Sequence, residues 1–348
     1  MVAMPTEDVR AKDIIAMRDR ARTKQENFRN LWQQTADLVF PRENRITSTP
    51  TPGEDKSVKL YDTTAVQDSQ DMASGLSGAI IPTGQKFFGL KVKDAEVARN
   101  ERVKRWLMIA TEILHDELFE SNFMLQFNET LRSLVVYGTG CLFSEWDNEL
   151  LRLNFKDYDI ALYQIEEDAR GTVDTIIITY KMTARQAISE FGVAKLNEKI
   201  LRAVDDPKNQ AEEFEFINIV RPRRRRNPGK RDPLNKSWES LHVDVQGKEV
   251  VKEHGFDDFP YAVPRWMKSS FEIYGRGQGT EHLADVKVLQ QIKRDFVECG
   301  NRWNNPPREV LDTFEGNVNV TPGAVNHVRE TGTIKALDQA LSGNFPIT

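Results

Sequence analysis

The chain has 348 residues, of which 39% are hydrophobic and 29% charged, so it has the composition of a soluble globular protein with room for about two domains. It contains no run of about 18 apolar residues, and we therefore predict no membrane span. The formal net charge of −5 argues against a protein that coats DNA over its whole surface, but it allows a local basic patch or a channel through which DNA slides.

The N-terminus and the cysteines indicate a reducing compartment. The first residues, Met1 to Pro5, lack the basic and apolar regions of a signal peptide. Cys141 and Cys299 lie far apart and do not have the spacing of metal ligands. We expect neither a disulfide nor a zinc site.

Residues 1–140 are predicted to be mostly helical. A long helix begins after Thr6, a suitable N-cap, and stops before Pro41. The Thr, Pro and Gly residues from Thr47 to Lys56 indicate an exposed loop. Three further helices are predicted, at Thr63 or Thr64 to Ile80, Glu101 to Ser121, and Met124 to Tyr137. The aromatic residues at helical spacing are expected in the core, and these are Phe28, Trp32, Trp106 and Phe123.

From residue 141 to about residue 270 the pattern is typical of an antiparallel β-rich module with one helix. The helix is predicted from Thr183 to Phe191, capped by Thr183 and closed by Gly192. Alternating β-branched and aromatic residues predict strands. These strands are Cys141 to Trp146, Arg152 to Phe155, Tyr158 to Gln164, Thr172 to Lys181, Phe214 to Val220, Trp238 to Val245 and Val263 to Met267.

The strongest local charge lies in a hairpin tip between two of these strands, with no acidic residue before Asp232. Its basic residues are Arg221, Arg223, Arg224, Arg225, Arg226, Lys230 and Arg231. Such a tip can bind a phosphate backbone, although no interleaved aromatic residue is present for base stacking. A solvated loop, or a loop that contacts an acidic neighbouring subunit, is the alternative interpretation.

The best-defined helix is predicted from about Thr280 to Trp303, on the order of 36 Å long. Its apolar arc is wide and is interrupted by Asp285, Gln290 and Lys293. Such an arc suits a buried core helix, or a helix flanked by identical copies in a ring. Its charged stripe consists of Lys287, Gln291, Arg294, Glu298 and Arg302, where Glu298 and Arg302 have the orientation of a helix ion pair. Short strands are predicted beyond it at Arg308 to Leu311, Val318 to Val320 and Ala324 to Val328.

Motifs of catalysis are missing from the sequence, and we predict no enzyme, no cofactor and no metal. It has no P-loop, no H-E-x-x-H and no nucleophile elbow. Gly275, Gly277 and Gly279 precede a helix and could cradle phosphate, but their spacing favours a hinge or a tight turn. The five histidines are scattered singly, as surface or packing residues. Acidic residues beside turns are more typical of solvated positions than of a two-metal nuclease site, and these are Asp157, Asp159, Glu166, Glu167 and Asp168.

Several segments, in this order along the chain, resemble the head-to-tail connector (portal) family of short-tailed phages. They are Phe28 to Trp32 running into Pro41, Leu60-Tyr61-Asp62-Thr63-Thr64-Ala65, Met72 to Leu76 leading to Phe88, Ser121-Asn122-Phe123, Tyr137-Gly138-Thr139-Gly140, Lys181 to Gln186, Pro264-Arg265-Trp266, and Tyr274-Gly275-Arg276-Gly277 with the helix beyond. The sequence departs from the pattern at Lys86-Phe87, where Trp is usual.

The resemblance implies an α+β portal fold with a helical and β-rich wing, a long stem helix and a small α/β clip, assembling as a dodecameric ring. Residues 1–140 would form the helical wing, 141–275 the β-rich wing with the basic hairpin, 276–304 the first stem helix and 305–348 the clip. We expect the second stem helix, the tunnel loop and the crown to be absent. The charged face of the stem helix, toward the lumen or a neighbouring subunit, would carry Lys287, Arg294, Glu298 and Arg302.

For function, the resemblance implies a channel at one capsid vertex, through which double-stranded DNA is packaged and ejected. Its partners would be further copies of the chain, the major capsid and scaffolding proteins, the large terminase subunit, and a tail adaptor or head completion protein. The protein would reside in the virion, and in the host cytoplasm during assembly. The alternative is another nucleic-acid-binding structural phage protein that uses the loop from Arg221 to Arg231.

Overall fold

Two compact units make up the part of the chain that the computed structural model describes. The described residues are 7–43, 45–47, 60–82, 85–148, 150–205, 212–227, 229–230, 232–304, 308–310 and 334–336. The first unit comprises the described residues before 60 and from 63 to 283, and the second comprises residues 60–62 and those from 284 onward. Helices and sheets both contribute, so the predicted α+β class is confirmed.

The first unit begins with helices, as predicted. They are α1 (Glu7–Val39), α2 (Thr64–Ile80), α3 (Ala95–Arg99), α4 (Glu101–Glu120) and α5 (Phe123–Tyr137), with a 3-10 turn at Pro41–Glu43 after α1. The short α3 is absent from the predicted elements, and it forms because the Asp94 side chain accepts hydrogen bonds from its first N–H groups. Thr6 and most of the predicted loop from Thr47 to Lys56 lie outside the described residues.

Two antiparallel sheets follow in the same unit. Strands β1 (Leu142–Asp147), β2 (Arg152–Asp157) and β8 (Tyr261–Ala262) form one sheet in the order β2-β1-β8. The other has the order β3-β4-β5-β6-β7, from β3 (Tyr163–Glu167), β4 (Val173–Thr183), β5 (Glu213–Pro222), β6 (Trp238–Asp244) and β7 (Glu249–Phe256). Helices α6 (Ala184–Phe191) and α7 (Glu198–Asp205) connect β4 to β5. The predicted capping of α6 is confirmed, because Thr183 and Gln186 form a capping box and Gly192 closes the helix at a φ of 76°.

Two strand predictions are wrong, and one long strand is missing from the predictions. The segment from Val263 to Met267 is no strand: it makes only single bridges, from Arg265 to Thr139 and from Met267 to Arg276. The strand predicted from Tyr158 begins only at Tyr163. The residues before it form a turn, in which the Asp159 side chain accepts the N–H of Ala161. β7 is missing from the predictions because its polar residues obscure the alternation, although its register with β6 is nearly continuous.

The N-terminal half of α1 packs on the larger sheet. Small residues at Ala11 and Ala21 bring the helix close, and Ile14 fills the space between them. The sheet contributes Ile177, Ile217, Ile219, Leu241, Val243 and Val250 to this core. The buried stripe is hard to recognise in the sequence because Arg18 and Gln25 lie on it. Both are satisfied, since Arg18 pairs with Glu215 at 2.6 Å and Gln25 donates to the carbonyl of Tyr163 at 3.0 Å.

The expectation that Trp106 lies in the core is wrong. Its exposed fraction is 66%, whereas Trp32 is fully buried. Helix α4 packs through its opposite face, where His115 stacks on the ring of Phe88 at 4.3 Å and Thr111 accepts the N–H of Leu90. These side chains bind the irregular segment before α3, so α4 packs through this face and its apolar face stays exposed among the described residues.

A cluster of glycines joins α5 to the segment that precedes the C-terminal helices. Gly138 ends α5 at a φ of 88°, and its carbonyl accepts the N–H of Trp266. A Cβ atom on Gly275 would lie 2.3 Å from the carbonyl oxygen of Gly138, and one on Gly277 would lie 2.4 Å from that of Val135. The Gly275 N–H donates to Thr139 Oγ1 at 2.9 Å. These glycines therefore permit backbone-to-backbone packing, which corrects the predicted hinge.

Aromatic side chains cover this glycine joint. The ring of Tyr274 lies 5.1 Å from that of Trp32 and 5.4 Å from that of Phe28, on α1. The Tyr274 hydroxyl accepts the N–H of Ile165 on β3. One residue next to the glycines thus contacts both the long helix and the larger sheet.

The second unit holds α9 (Leu283–Asn304) from Ala284 onward, and strands β9 (Arg308–Val310) and β10 (Ile334–Ala336), which pair antiparallel. The predicted helix from Thr280 is broken in two, since α8 (Gln278–Glu281) ends at His282 before α9 begins. The predicted strand at Arg308 is confirmed. Those at Val318 to Val320 and Ala324 to Val328 lie outside the described residues.

We predict that Gly277→Ala lowers the free energy of unfolding by roughly 1–3 kcal/mol, because the new methyl group overlaps the backbone of α5. Gly89→Ala is the matched control: its Cβ would meet nothing within 4 Å, and we expect a change within about 0.5 kcal/mol. Urea unfolding followed by tryptophan fluorescence measures both. Equal midpoints for the two variants would contradict the glycine joint.

Candidate functional site

The basic hairpin exists as predicted, but the fold divides its charges. Strands β5 and β6 form the hairpin, in which Arg221 lies opposite Glu239 and Pro222 opposite Trp238. The segment beyond Pro222 is held by its own hydrogen bonds: Asn235 accepts the N–H of Asn227 and donates to Asp232. The tip is therefore a folded connection and not merely a solvated run of charge.

Two of the arginines belong to an ion-pair network at the root of the hairpin. Arg221 Nε lies 2.6 Å from Glu239 Oε1, and Arg223 Nη1 lies 2.6 Å from Glu253 Oε1. Arg10, from α1, reaches Glu253 at 3.0 Å. The side chain of Arg223 is only 7% exposed. Arg221 and Arg223 are therefore compensated by acids that are distant in sequence, which corrects the view of one uniform basic loop.

The network also fixes the charge of Glu253. Burial alone would raise the pKa of Glu253, but the hydrogen bonds and charges of Arg10 and Arg223 outweigh it, and the pKa falls below its ordinary value. Glu253 thus stays ionised and tethers the hairpin to α1 and β7.

The outward charge of the hairpin is carried by Arg224, Arg225, Arg226 and Lys230. All four residues are exposed. Arg226 also donates to Ser237 Oγ, whereas Arg224, Arg225 and Lys230 make no ion pair with any residue that the structure describes. Arg231 lies outside the described residues. We call Arg224 to Lys230 the basic tip.

The charged stripe of α9 lies on an exposed face. Arg294 donates from Nε to Glu298 Oε1 at 2.7 Å, and Gln291 donates to Asp295. Lys287 is exposed. For Arg302 the structure describes the backbone alone, so the predicted pair of Glu298 with Arg302 stays a prediction.

The apolar arc of α9 is exposed as well. Val288, Ile292 and Phe296 follow one another at intervals of four residues and are 57%, 58% and 59% exposed. The residues that the structure describes leave this stripe largely uncovered, which favours a helix flanked by other chain segments or by identical copies.

Two of the polar residues that interrupt the apolar arc of α9 bind a short segment of the same unit. Gln290 is buried, and its Oε1 accepts the N–H groups of Tyr61 and Asp62 at 2.9 and 3.1 Å, while its Nε2 donates to the carbonyl of Asp62. Lys293 lies 3.8 Å from the carboxylate of Asp62. Within the second unit, residues 60–62 are thereby bound to α9 by main-chain hydrogen bonds.

The acidic residues near the turns are engaged in the fold. Asp157 accepts from Thr130 Oγ1 at 2.6 Å, Asp168 accepts the N–H groups of Arg170 and Thr172, and Glu167 pairs with Lys268 and Arg265. No group of three or more His, Cys, Asp or Glu side chains in the described part of the chain is arranged to hold a metal ion. No helix there is long and apolar enough to span a bilayer.

A cavity of about 510 Å³ beside the larger sheet is a feature that the sequence reasoning missed. In its wall Tyr180 Oη lies 2.8 Å from His242 Nδ1. Burial lowers the pKa of His242 to about 4, so the imidazole is neutral near pH 7. The two residues are on neighbouring parts of the sheet but 62 positions apart in the chain, and no sequence spacing indicates them.

Two carboxyl groups are buried where the end of α1 meets α5 and β2. Burial, and next the charges of Asp159 and Asp157, raise the pKa of Glu43 to about 8. Burial likewise raises the pKa of Asp157 to about 7, against its hydrogen bond from Thr130. Arg42, which pairs with Glu129, only partly offsets these effects.

The chain is similar to one protein family and to several curated proteins of bacteriophages. Residues 11–347 match the family described as bacteriophage head to tail connecting protein. The chain is 26% identical over 308 residues to the portal protein of Salmonella phage epsilon15, covering 87% of this chain and 55% of that protein. It is 24% identical over 336 residues to the probable portal protein of Bordetella phage BPP-1, covering 92% and 58%. The portal protein of Escherichia phage T7 is 24% identical over 283 residues, covering 77% and 48%. The chain spans about half the length of these curated relatives.

We predict that Arg223→Ala lowers the free energy of unfolding by about 2 kcal/mol, because it leaves a partly buried Glu253 with one cation fewer. Arg224→Ala is the control in the basic tip and should stay within about 0.5 kcal/mol of the wild type. Urea unfolding at pH 7 measures the free energy of unfolding of both variants. An equal loss of stability in both would contradict the division of the hairpin into a paired root and an unpaired basic tip.

We predict that Glu43→Gln stabilises the protein at high pH only. The folded carboxyl keeps its proton up to about pH 8, whereas the ordinary pKa is 4.5, so the contribution of wild-type Glu43 to stability is present below pH 4.5 and is lost as pH rises through 8. The amide cannot ionise, and the variant should melt roughly 2–4 °C higher at pH 8.5 and close to the wild type at pH 4.5.

The exposed Glu96 supplies the control for the replacement of a surface carboxylate by an amide, and Glu96→Gln should change the free energy of unfolding by no more than about 0.5 kcal/mol. Glu43→Gln fails the prediction if its melting temperature follows that of the wild type from pH 4.5 to pH 8.5.

Proposed function

Because the chain belongs to the family of bacteriophage head to tail connecting proteins, we propose that it is a subunit of a portal, a ring of identical copies at one capsid vertex. Double-stranded DNA would enter and leave the capsid through this ring. Portal proteins of phages epsilon15, T3 and T7 are among its relatives, and the family role is structural rather than catalytic.

The observation that carries the proposal is the exposed apolar stripe of α9. Three large side chains at intervals of four residues are more than half exposed in the single chain. Fully burying an exposed Val, Ile or Phe side chain contributes about 1.5–3 kcal/mol, so covering the exposed part of each of these three contributes roughly half of that. In a ring, every subunit offers this helix to the next, and the stripe becomes buried between copies.

The charged stripe of the same helix suits a channel for DNA. Lys287, Arg294, Glu298 and Arg302 include both signs, and Arg294 is already paired with Glu298. A lumen of mixed charge holds the phosphate backbone only weakly, which lets DNA slide. We assign these four residues to the lumen or to a subunit contact, with α9 as the first stem helix.

The remaining assignments follow the family. Residues 1–140 and 141–275 would form the helical and the β-rich parts of the wing, 276–304 the stem and 305–348 the clip, in a dodecamer. Partners would be the large terminase subunit, the major capsid and scaffolding proteins, and a tail adaptor or head completion protein. The ring would act in the virion after assembling in the host cytoplasm.

A second candidate function rests on the basic tip. Arg224 and Arg225 are exposed and make no ion pair with any described residue, so they are available to a polyanion such as a phosphate backbone or an acidic subunit surface. A nucleic-acid-binding structural phage protein that uses this loop is therefore the alternative to a portal.

We predict that the purified chain forms large rings, and that Ile292→Asp abolishes them without lowering the melting temperature, because Ile292 is exposed in the single chain and buried between copies. Mass photometry and negative-stain imaging measure the assembly. The triple variant Arg224→Ala, Arg225→Ala, Arg226→Ala is the control and should form the same rings.

The same variants separate the two functions. A simple nucleic-acid-binding module would remain a monomer or dimer, and its salt-dependent affinity for DNA would disappear in the triple variant. That result, with no ring in the wild type, would contradict the portal.

A further inference from the structure

Helix α4 carries a second exposed apolar stripe, outside the surfaces used above. Trp106, Ile109 and Ile113 lie on one face and are 66%, 44% and 56% exposed. The opposite face, with Thr111 and His115, is buried against the helix's own unit. The stripe is thus not a poorly packed core, because α4 is already seated through its other side.

Charged residues continue the stripe at both ends. Arg102 precedes Trp106 by four residues, and Asp116 and Glu120 follow Ile113 by three and seven, so the whole row has the spacing of a helix-packing seam. Arg105 lies beside the first turns of the row. Basic residues therefore mark its N-terminal end and acidic residues its C-terminal end.

The four charged side chains at the ends of the stripe form no ion pairs within the described part of the chain. Arg102, Arg105, Asp116 and Glu120 are exposed and make no ion pair with any residue that the structure describes. Their order also opposes the helix dipole, which favours acids at the N-terminus and bases at the C-terminus. The helix would be more stable with the opposite arrangement, so the charges point to a partner.

A second copy of α4 fits this pattern when it runs antiparallel. The basic end of each helix then lies beside the acidic end of the other, and the apolar residues meet in the middle. The contact is self-complementary about a twofold axis, since the same surface serves both copies. We propose that the α4 stripe is a contact between two copies of this chain, related by a twofold axis.

This contact is separate from the proposed ring. A closed ring joins unlike surfaces of neighbouring subunits, whereas a twofold contact pairs two free subunits or two rings. Helix α4 is about 30 Å long, and a contact of this length lies at the small end of specific interfaces, so each pairing is weak and several pairings between two rings reinforce one another.

A charge exchange tests the proposal on the full chain. One variant carries Arg102→Glu and Arg105→Glu, and the other carries Asp116→Lys and Glu120→Lys. Both changes agree with the helix dipole and lie at exposed positions, so we expect both variants to fold. Each variant alone sets like charges together and should pair at least about tenfold more weakly than the wild type.

The decisive sample is an equal mixture of the two variants. Both ends of the contact are then complementary again, and pairing should return to about the wild-type strength. Sedimentation velocity over a range of concentrations at low salt measures the pairing. Arg170→Glu with Arg185→Glu reverses two exposed arginines elsewhere and should leave it unchanged.

Three outcomes would overturn the twofold contact: no paired species in the wild type, unchanged pairing in both variants, or no recovery in the mixture. Ring formation is measured independently, by the mass of the smallest closed assembly. Absence of pairing with intact rings would contradict the twofold contact at α4 alone, whereas absence of rings would contradict the proposed ring contact at α9.

Discussion

The glycine joint is the constraint on which the rest of the first unit depends. Backbone atoms of the α5 terminus and of residues 264–279 approach each other more closely than any side chain would permit. Because Tyr274 stands in this joint, the same few residues orient α1 through Trp32 and the larger sheet through Ile165. The position of α8 on α5 is set there too, since Gly277 and Gly279 both lie against the backbone of α5.

Local signals predicted most of the fold, and non-local partners account for the errors. Helix ends followed from caps and glycines, as at Thr183 and Gly138, and the basic hairpin followed from its flanking strands. Trp106 was misplaced because periodicity reveals an apolar face but does not tell whether the fold covers it. Within the candidate site, the positions of the arginines were predictable. The neutralisation of Arg223 was not, because Glu253 lies 30 residues away and meets it only through sheet register.

The described chain has the character of a subunit. Helices α4 and α9 each bury one part of their surface and leave an ordered apolar row in water. Both rows have regular helical spacing and charged margins, unlike the scattered apolar residues that any globular surface carries. The proposed contacts between copies would cover both rows, α9 in the ring and α4 about the twofold axis.

The hydrogen bonds of Gln290 have a geometric consequence. Three bonds to the backbone at residues 61 and 62 hold α9 at one rotation about its own axis, since a turn by a single residue, about 100°, would carry the amide away from the chain. In the proposed ring of identical subunits, an angular error in this helix would recur in each copy, and the errors would add up before the ring closes. Gln290 would then hold the helix of every copy at the same rotation.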